Sequence, residues 1–437
     1  MVILELMQMR QTLIWSVAFL VFASSLQSVN AAAPKPGSSC TKLGRIQVVG
    51  GKTYTCIKSG KKKVWTKGKL VSNAGKKPVA TLDLSKSELI TSSSDLTEVQ
   101  ICKTGDLSNN SRNSNGFPRP TFAKVGKVSA RLLVLPISFP DLAFNDRELA
   151  KLESMSQEVA SFYSMVSYGR VSLTFDFPDK SNLIVLNRTA ESYGLMQNPK
   201  KNNEQVVIDV FAQADASINF DQYDGVIIET AYFQSAGGGQ AFPGWEFETK
   251  NGVAKGVSFA FGVSAGRVDV LAHELGHSLF ALEDLYVFPN ESSPSAEESK
   301  PAGIWDMMST STFDFLGWNR LLMGWIDDQQ VRCIKDQKST FHYLESIYLS
   351  SSKPKLLLVN IQEGVTIAIE ARSPSKLSIS MGLLVYKIDT RIAHGNGPIT
   401  AQNLLLFTGN SLSIEGWTLK AANRDDYGVL VQLEKET

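Results

Sequence analysis

The chain is short of several things. Its 437 residues include only 4 cysteines and 4 histidines. No two cysteines have the C-x-x-C spacing of a zinc ribbon, which argues against a four-cysteine zinc site. Beyond Leu13–Ala23 there is no long apolar run, which excludes a polytopic membrane protein. From Pro34 to Leu82 there is not one Asp or Glu. Disorder throughout is excluded too, because 43% hydrophobic and 20% charged residues make an ordinary globular composition. At roughly 100–200 residues per domain, the length predicts two or three folded units.

The missing acids expose a hidden asymmetry. Residues 34–82 carry a net +12 and residues 83–437 a net −11, so the neutral total of +1 is a sum of two opposite parts. The lysines of 34–82 suit a polyanionic cell-envelope polymer, or else form a solvated basic hairpin. No nucleic-acid partner is expected.

Leu13–Ala23 is an uncharged, mostly apolar stretch, too short for the roughly 20 residues of a membrane span. Arg10 precedes it, and Ala31, Ala32 and Ala33 follow. Residues 1–33 therefore read as a secretory signal peptide, with an uncleaved anchor as the alternative, and the protein is expected outside the cell or on its envelope. No transmembrane segment is expected once the signal is removed. Disulfides suit that destination. Cys40 and Cys56 lie in a short segment with little to make a core, so they are expected to pair and staple it. Cys102 and Cys333 would then pair with each other, other connectivities remaining open.

Residues 34–70 read as a small basic β module, and residues 71–125 as a linker or pro-segment. Strands and helices then alternate. Ala130–Phe139, Val171–Phe177 and Gly225–Glu229 have strand patterns, while Asp146–Ser164 and Asn203–Ala214 read as helices. Gly237-Gly238-Gly239 marks a mobile loop that would border a cleft. After Gln329 only strands are predicted, at Lys355–Ile361, Val365–Ala371, Gly382–Ile388, Leu404–Phe407 and Val429–Leu433. The expected class is α+β, with a mixed-sheet domain over 126–329 and a β-rich, sandwich-like domain over 330–437.

The chemistry concentrates in Val268–Tyr286, VDVLAHELGHSLFALEDLY. His273 and His277 are four residues apart, so on a helix both imidazoles reach one ion. Glu274 sits beside the first of them and can contact a water on that ion without binding the metal. Zinc takes His nitrogen and keeps an open position in catalytic sites. The bland reading is a core helix with two satisfied histidines. Against it, a Glu between them has no reason to be buried without a metal or a partner. Leu271, Leu275, Leu279 and Leu282 form the buried stripe of the predicted helix. Glu283 and Asp284 are the candidates for a third ligand. Phe280 stands where the long zinc motif has its helix-ending glycine, so the helix is free to run further. His342 and His394 are more distant alternatives.

These residues resemble the immune inhibitor A family of secreted bacterial zinc peptidases. That family continues its zinc helix into Gly-Leu-Pro-Asp-x-Tyr. Here Phe280-Ala281-Leu282-Glu283-Asp284-Leu285-Tyr286 is one residue longer and lacks the Gly and the Pro. Aligning Asp-x-Tyr implies Asp284 as the third ligand, whereas spacing from His273 favours Glu283. Val166-Ser167-Tyr168-Gly169-Arg170-Val171-Ser172-Leu173 is similar to the family's VSYGKLSL. Trp305-Asp306-Met307-Met308-Ser309 is similar to its methionine turn, which implies Met308 as packing beneath the metal. Trp318 to Ile326 and Gly382-Leu383-Leu384-Val385-Tyr386-Lys387-Ile388-Asp389 resemble later family segments. The likeness spans about residues 130–390 and implies a zincin-like fold over 126–329.

The expected activity is zinc-dependent endopeptidase hydrolysis, with Glu274 as general base toward a zinc-activated water and a protein or peptide as substrate. Tyr286 is a candidate helper for the oxyanion, its competing reading being a packed tyrosine with a satisfied hydroxyl. The resemblance and the acidic body suggest Ca2+ as a second cation, without assigned ligands. The alternative from another class is a non-catalytic envelope- or polymer-binding surface protein with a structural zinc. A thermolysin-type peptidase would need a ligand Glu on a later helix, where the pattern offers only strands.

Overall fold

Val128–Ser138, the apolar run near the start of the body, is an interior strand of a mixed sheet. In spatial order that sheet runs Val171–Asp176, Val128–Ser138, Gly225–Thr230, Val253–Phe261 and Gly238–Glu248, with Ile184–Val185 also paired to Val128–Ser138. The first four strands are parallel, and Gly238–Glu248 closes one edge antiparallel to Val253–Phe261. This computed structural model describes parts of residues 35–70, and residues 89–436 apart from 109–111, 180–182, 196–202, 215, 232–237, 262–265, 289–299, 311–313, 373–380 and 403–404. The signal peptide expected over 1–33, residues 71–88 and 109–111 of the linker expected over 71–125, and Gly237 lie outside the described residues.

The chain divides after Thr81 into two units. In the first, Ile46–Val49, Lys52–Ser59, Lys62–Trp65 and Lys69–Leu70 pair antiparallel. A Cys40–Cys56 disulfide and the buried Trp65 are its core. The second unit is mixed α and β, mostly sheet. Cys102 and Cys333 are bonded across a sequence separation of 231 residues.

Helix Asp146–Val166 is capped by Asn145, whose side chain accepts from the Glu148 amide at 3.0 Å while the Glu148 carboxylate returns to the Asn145 amide at 3.1 Å. Leu152, Met155, Val159, Phe162 and Val166 make the buried stripe of that helix. It packs beside the helix Val268–Ser278, and the Tyr163 hydroxyl donates to Ala272 O at 2.7 Å.

Beyond residue 330 two sheets share one core. The first runs Val331–Ile334, Leu356–Gln362, Val365–Arg372, Gly382–Asp389 and Ile399–Ala401; the second runs Ser339–Glu345, Gly428–Lys435, Trp417–Arg424 and Ser411–Ile414. Leu357, Ile367, Ile369 and Val385 meet Leu344, Trp417, Leu419 and Val431 between them. The opposite face of the first sheet joins the core of the helix-bearing part, through Leu356, Leu358, Ala368 and Tyr386 packed with Trp318 and Leu321. A single apolar core therefore runs across residue 330.

Three expectations change. Leu404–Phe407 is no strand among its described residues; Leu406 makes a lone bridge to Leu383. Gly238 and Gly239 are not loop but the first residues of an 11-residue strand. The predicted helix through Leu282 instead ends at Ser278, with Leu279 as its C-cap.

Candidate metal centre

Helix Val268–Ser278 is buried along nearly its whole length, Leu271 and Leu275 inside the main core. Ser278 is tied to the neighbouring strand by a 2.8 Å bond with Ser258 Oγ. After the helix the chain turns sharply. Ala281 has φ 52°, the left-handed conformation that usually falls to glycine. The Leu282 amide then reaches back to Gly276 O at 3.0 Å. Phe280, in the expected place of that glycine, stacks on Tyr163 at 5.4 Å and meets Trp325 edge-on at 5.5 Å. A buried Phe is worth about 2–3 kcal/mol and a left-handed Ala costs about 1–2 kcal/mol, so the exchange is at least neutral.

The turn returns Asp284 to the histidines. Its Oδ1 lies 3.0 Å from His273 Nε2 and 3.2 Å from His277 Nε2, and the two Nε2 atoms are 3.1 Å apart. The other ring nitrogens are committed. His273 Nδ1 donates to Met307 O at 3.0 Å, and His277 Nδ1 donates to Leu282 O at 2.6 Å. Both Nε2 atoms therefore face each other and the Asp284 carboxylate, in a cluster that could hold a cation once the rings are neutral. Tetrahedral zinc with bonds of roughly 2.0–2.1 Å would separate its ligands by about 3.3 Å, close to the edges seen. The spacing of this donor set is one that zinc could accept, and His273, His277 and Asp284 are the residues that could hold it.

Burial pulls the His273 and His277 pKa values down, but the Asp284 carboxylate more than compensates, raising His273 and holding His277 at about 9. Burial pushes Asp284 up, yet the two imidazoles hold it well below the usual carboxylate range.

Glu283 does not join the triangle. It is buried, accepts from the Asp284 amide at 3.1 Å, and its Oε1 pairs with His394 Nδ1. Its neighbour Asp284 has the position that spacing from His273 offered to Glu283. His394 is a half-exposed residue on the loop after Gly382–Asp389, meeting Phe288 edge-on at 5.3 Å. His342 lies in strand Ser339–Glu345, wholly buried and outside the His273, His277 and Asp284 group. Glu274 is buried, and a methyl group placed on Gly239 would stand 2.6 Å from its Oε1. The edge strand therefore passes directly over this carboxylate. Tyr286 is half-buried, its ring 6.2 Å from that of His273 and 5.2 Å from Phe288.

Met308 lies against the helix at Gly276, where a β-carbon would stand 2.6 Å from its sulfur. Its turn is held by Asp306, which accepts from the amides of Met308 at 2.8 Å and Leu316 at 2.6 Å and from Asn319 Nδ2 at 2.9 Å. Burial nevertheless raises Asp306 to about 7. The supporting groups Met307 O and Leu282 O are backbone atoms, so no residue type announces them. Asp306 was visible only as a neighbour of Met308.

No protein-family model matches the chain, and no curated protein matches it. Among solved structures, catalytically inactive OgpA from Akkermansia muciniphila, crystallised with an O-glycopeptide substrate (glycodrosocin), is similar at 11% identity. The match covers 66% of this chain and 95% of that one, with a TM-score of 0.23. At that TM-score the likeness carries no argument.

Proposed function

We propose that the protein is a secreted zinc-dependent endopeptidase of the immune inhibitor A type, with a zincin-like catalytic part over 126–329 and a sandwich-like part over 330–437. The observation that carries this reading is the triangle of His273 Nε2, His277 Nε2 and Asp284 Oδ1, each edge 3.0–3.2 Å, with both Nδ1 atoms already spent on backbone carbonyls. Zinc held by His273, His277 and Asp284 would supply a Lewis acid for the substrate carbonyl and lower the pKa of an attacking water. Glu274 would take the proton of the attacking water and return it to the leaving nitrogen, as a C–O bond forms and the C–N bond breaks. Gly239 leaves the space that keeps Glu274 in place above the helix. Strand Gly238–Glu248 ends the sheet among the described residues, and an extended peptide would pair with its outer row of backbone groups beside the base. Met308 and Asp306 keep the floor of the site rigid, and Tyr286 borders it.

Glu274→Gln keeps the shape and removes the base. The expected result is one zinc per chain by metal analysis with casein hydrolysis reduced at least a thousandfold. Casein cleavage at the parent rate would remove Glu274 from the mechanism. Hydrolysis that survives exhaustive chelation would remove zinc.

A further inference from the structure

A helix leaves its last carbonyls without partners inside the helix. Here the chain just past the helix has its carbonyls served from far away in sequence. Leu279 O accepts from the Lys124 amide at 2.8 Å. Phe280 O accepts from Arg119 Nη2 at 2.7 Å. Ala281 O accepts from the Ser114 amide at 2.8 Å and from Arg119 Nη2 at 2.9 Å. The next carbonyl, Leu282 O, is the one that His277 Nδ1 holds. Three consecutive carbonyls are thus bound by the strap 104–124, and the fourth orients a ligand.

The strap is itself fixed. Arg119 Nη1 donates to Ser114 O at 2.7 Å and to Gly116 O at 3.3 Å, so its fork joins the strap's own turn to the helix end. Asp106 accepts from the Asn115 amide at 2.9 Å and from the Ser108 amide at 2.9 Å. Trp318 Nε1 donates to Asn115 O at 3.0 Å. Cys102, just before the strap, is bonded to Cys333. Gly116 has no room for a side chain, since a β-carbon there would stand 2.5 Å from the Asp106 amide nitrogen.

We propose that Arg119 is a positioning residue for the metal centre: it clamps the left-handed corner at Ala281, which sets Leu282 O behind His277 and Asp284 against both imidazoles. The inference rests on the zinc reading for its consequence, and on the corner geometry for its cause. It accounts for how the chain manages without the glycine that Phe280 replaces. Burial lowers the guanidinium pKa to about 10, against the raising effect of the nearby Asp106 charge.

The test uses the full chain. Arg119→Gln is expected to weaken zinc binding at least tenfold in competition with a chromogenic chelator. Arg119→Lys, a point charge without the fork, is expected to weaken it as well. Ala281→Gly added to Arg119→Gln is expected to restore most of the affinity, because glycine takes the left-handed corner unaided. In the metal-free protein, Arg119→Gln should speed hydrogen exchange at the Ala281 and Leu282 amides. Unchanged zinc affinity and unchanged exchange would overturn the proposal. So would a loss that Ala281→Gly leaves in place, since Arg119 would then serve general stability. If Arg119→Gln does not fold, Arg119→Lys with and without Ala281→Gly decides by the same two readouts. Failure of the parent chain to take up zinc would overturn the metal reading alone, and exchange at the corner would still judge the clamp.

Discussion

His342 shows what a single buried ring does when nothing bonds it. It is 1% exposed, and neither ring nitrogen has a partner among the described residues. Burial, helped by Arg332, lowers its pKa to about 3. The unfolded chain takes up that proton near pH 6.5. A folded pKa below the unfolded one means full stability above pH 6.5, lost progressively as the pH falls toward 3. The loss at pH 5 should be about 2 kcal/mol. His342→Leu keeps the volume and removes the titration. Urea unfolding at pH 7.5 and pH 5 should therefore show the variant gaining about 2 kcal/mol on the parent at the lower pH. An equal gap at both pH values would mean that the ring is neutral for another reason. The same isolation explains why His342 was a poor candidate ligand: it lies between two sheets, with aliphatic side chains around Leu344 and Val431.

Elements carry the next lesson, and the edge strand Gly238–Glu248 is the clearest case. Its first two residues face opposite ways. A methyl at Gly238 would meet the Phe261 ring at 2.7 Å, whereas one at Gly239 would meet Glu274 at 2.6 Å. Gly238→Ala is expected to cost about 1–3 kcal/mol of stability with little change in kcat. Gly239→Ala should leave thermal stability and zinc content near those of the parent but lower kcat by about a hundredfold, by moving the base. Thermal melts with casein kinetics separate the two; equal effects would mean that neither face is special. Sequence pattern missed this strand because glycines and Pro243 read as loop, yet an edge tolerates a missing ladder donor. It also missed Val253–Phe261, whose Gly256 at φ 56° interrupts the run with a bulge. By contrast Val128–Ser138 and Asp146–Val166 were legible, since one is continuously apolar and the other keeps a clean helical stripe. The pairing of His273 with His277 was legible for the same local reason, their spacing of four. The end of its helix was not, because Ala281 does not advertise a left-handed corner that distant residues enforce.

Across the whole second unit, a buried ionic seam joins the segment after the methionine turn to the first C-terminal sheet. Glu370 accepts from the Gly317 amide at 2.6 Å and from the Tyr386 hydroxyl at 2.9 Å, and pairs with Arg372. Arg372 in turn reaches Asp314 at 2.8 Å, and Asp314 pairs with Arg320. Removing one member strands the others without water. Glu370→Ala is expected to destabilise the chain by about 3–5 kcal/mol, read by denaturant unfolding. A change below about 1 kcal/mol would mean that the seam relaxes freely. The change of pattern after Gln329 marks a change in element type rather than a gap in packing. Periodicity compares near neighbours and is blind to a core continued by residues a hundred positions away.

The bond between Cys102 and Cys333 turns everything between them, the triangle of His273, His277 and Asp284 included, into a covalent ring. A single backbone cut inside that ring would leave both pieces attached. A nicked molecule would migrate with intact protein on a gel run without reductant, and the cut would appear only once thiol was added.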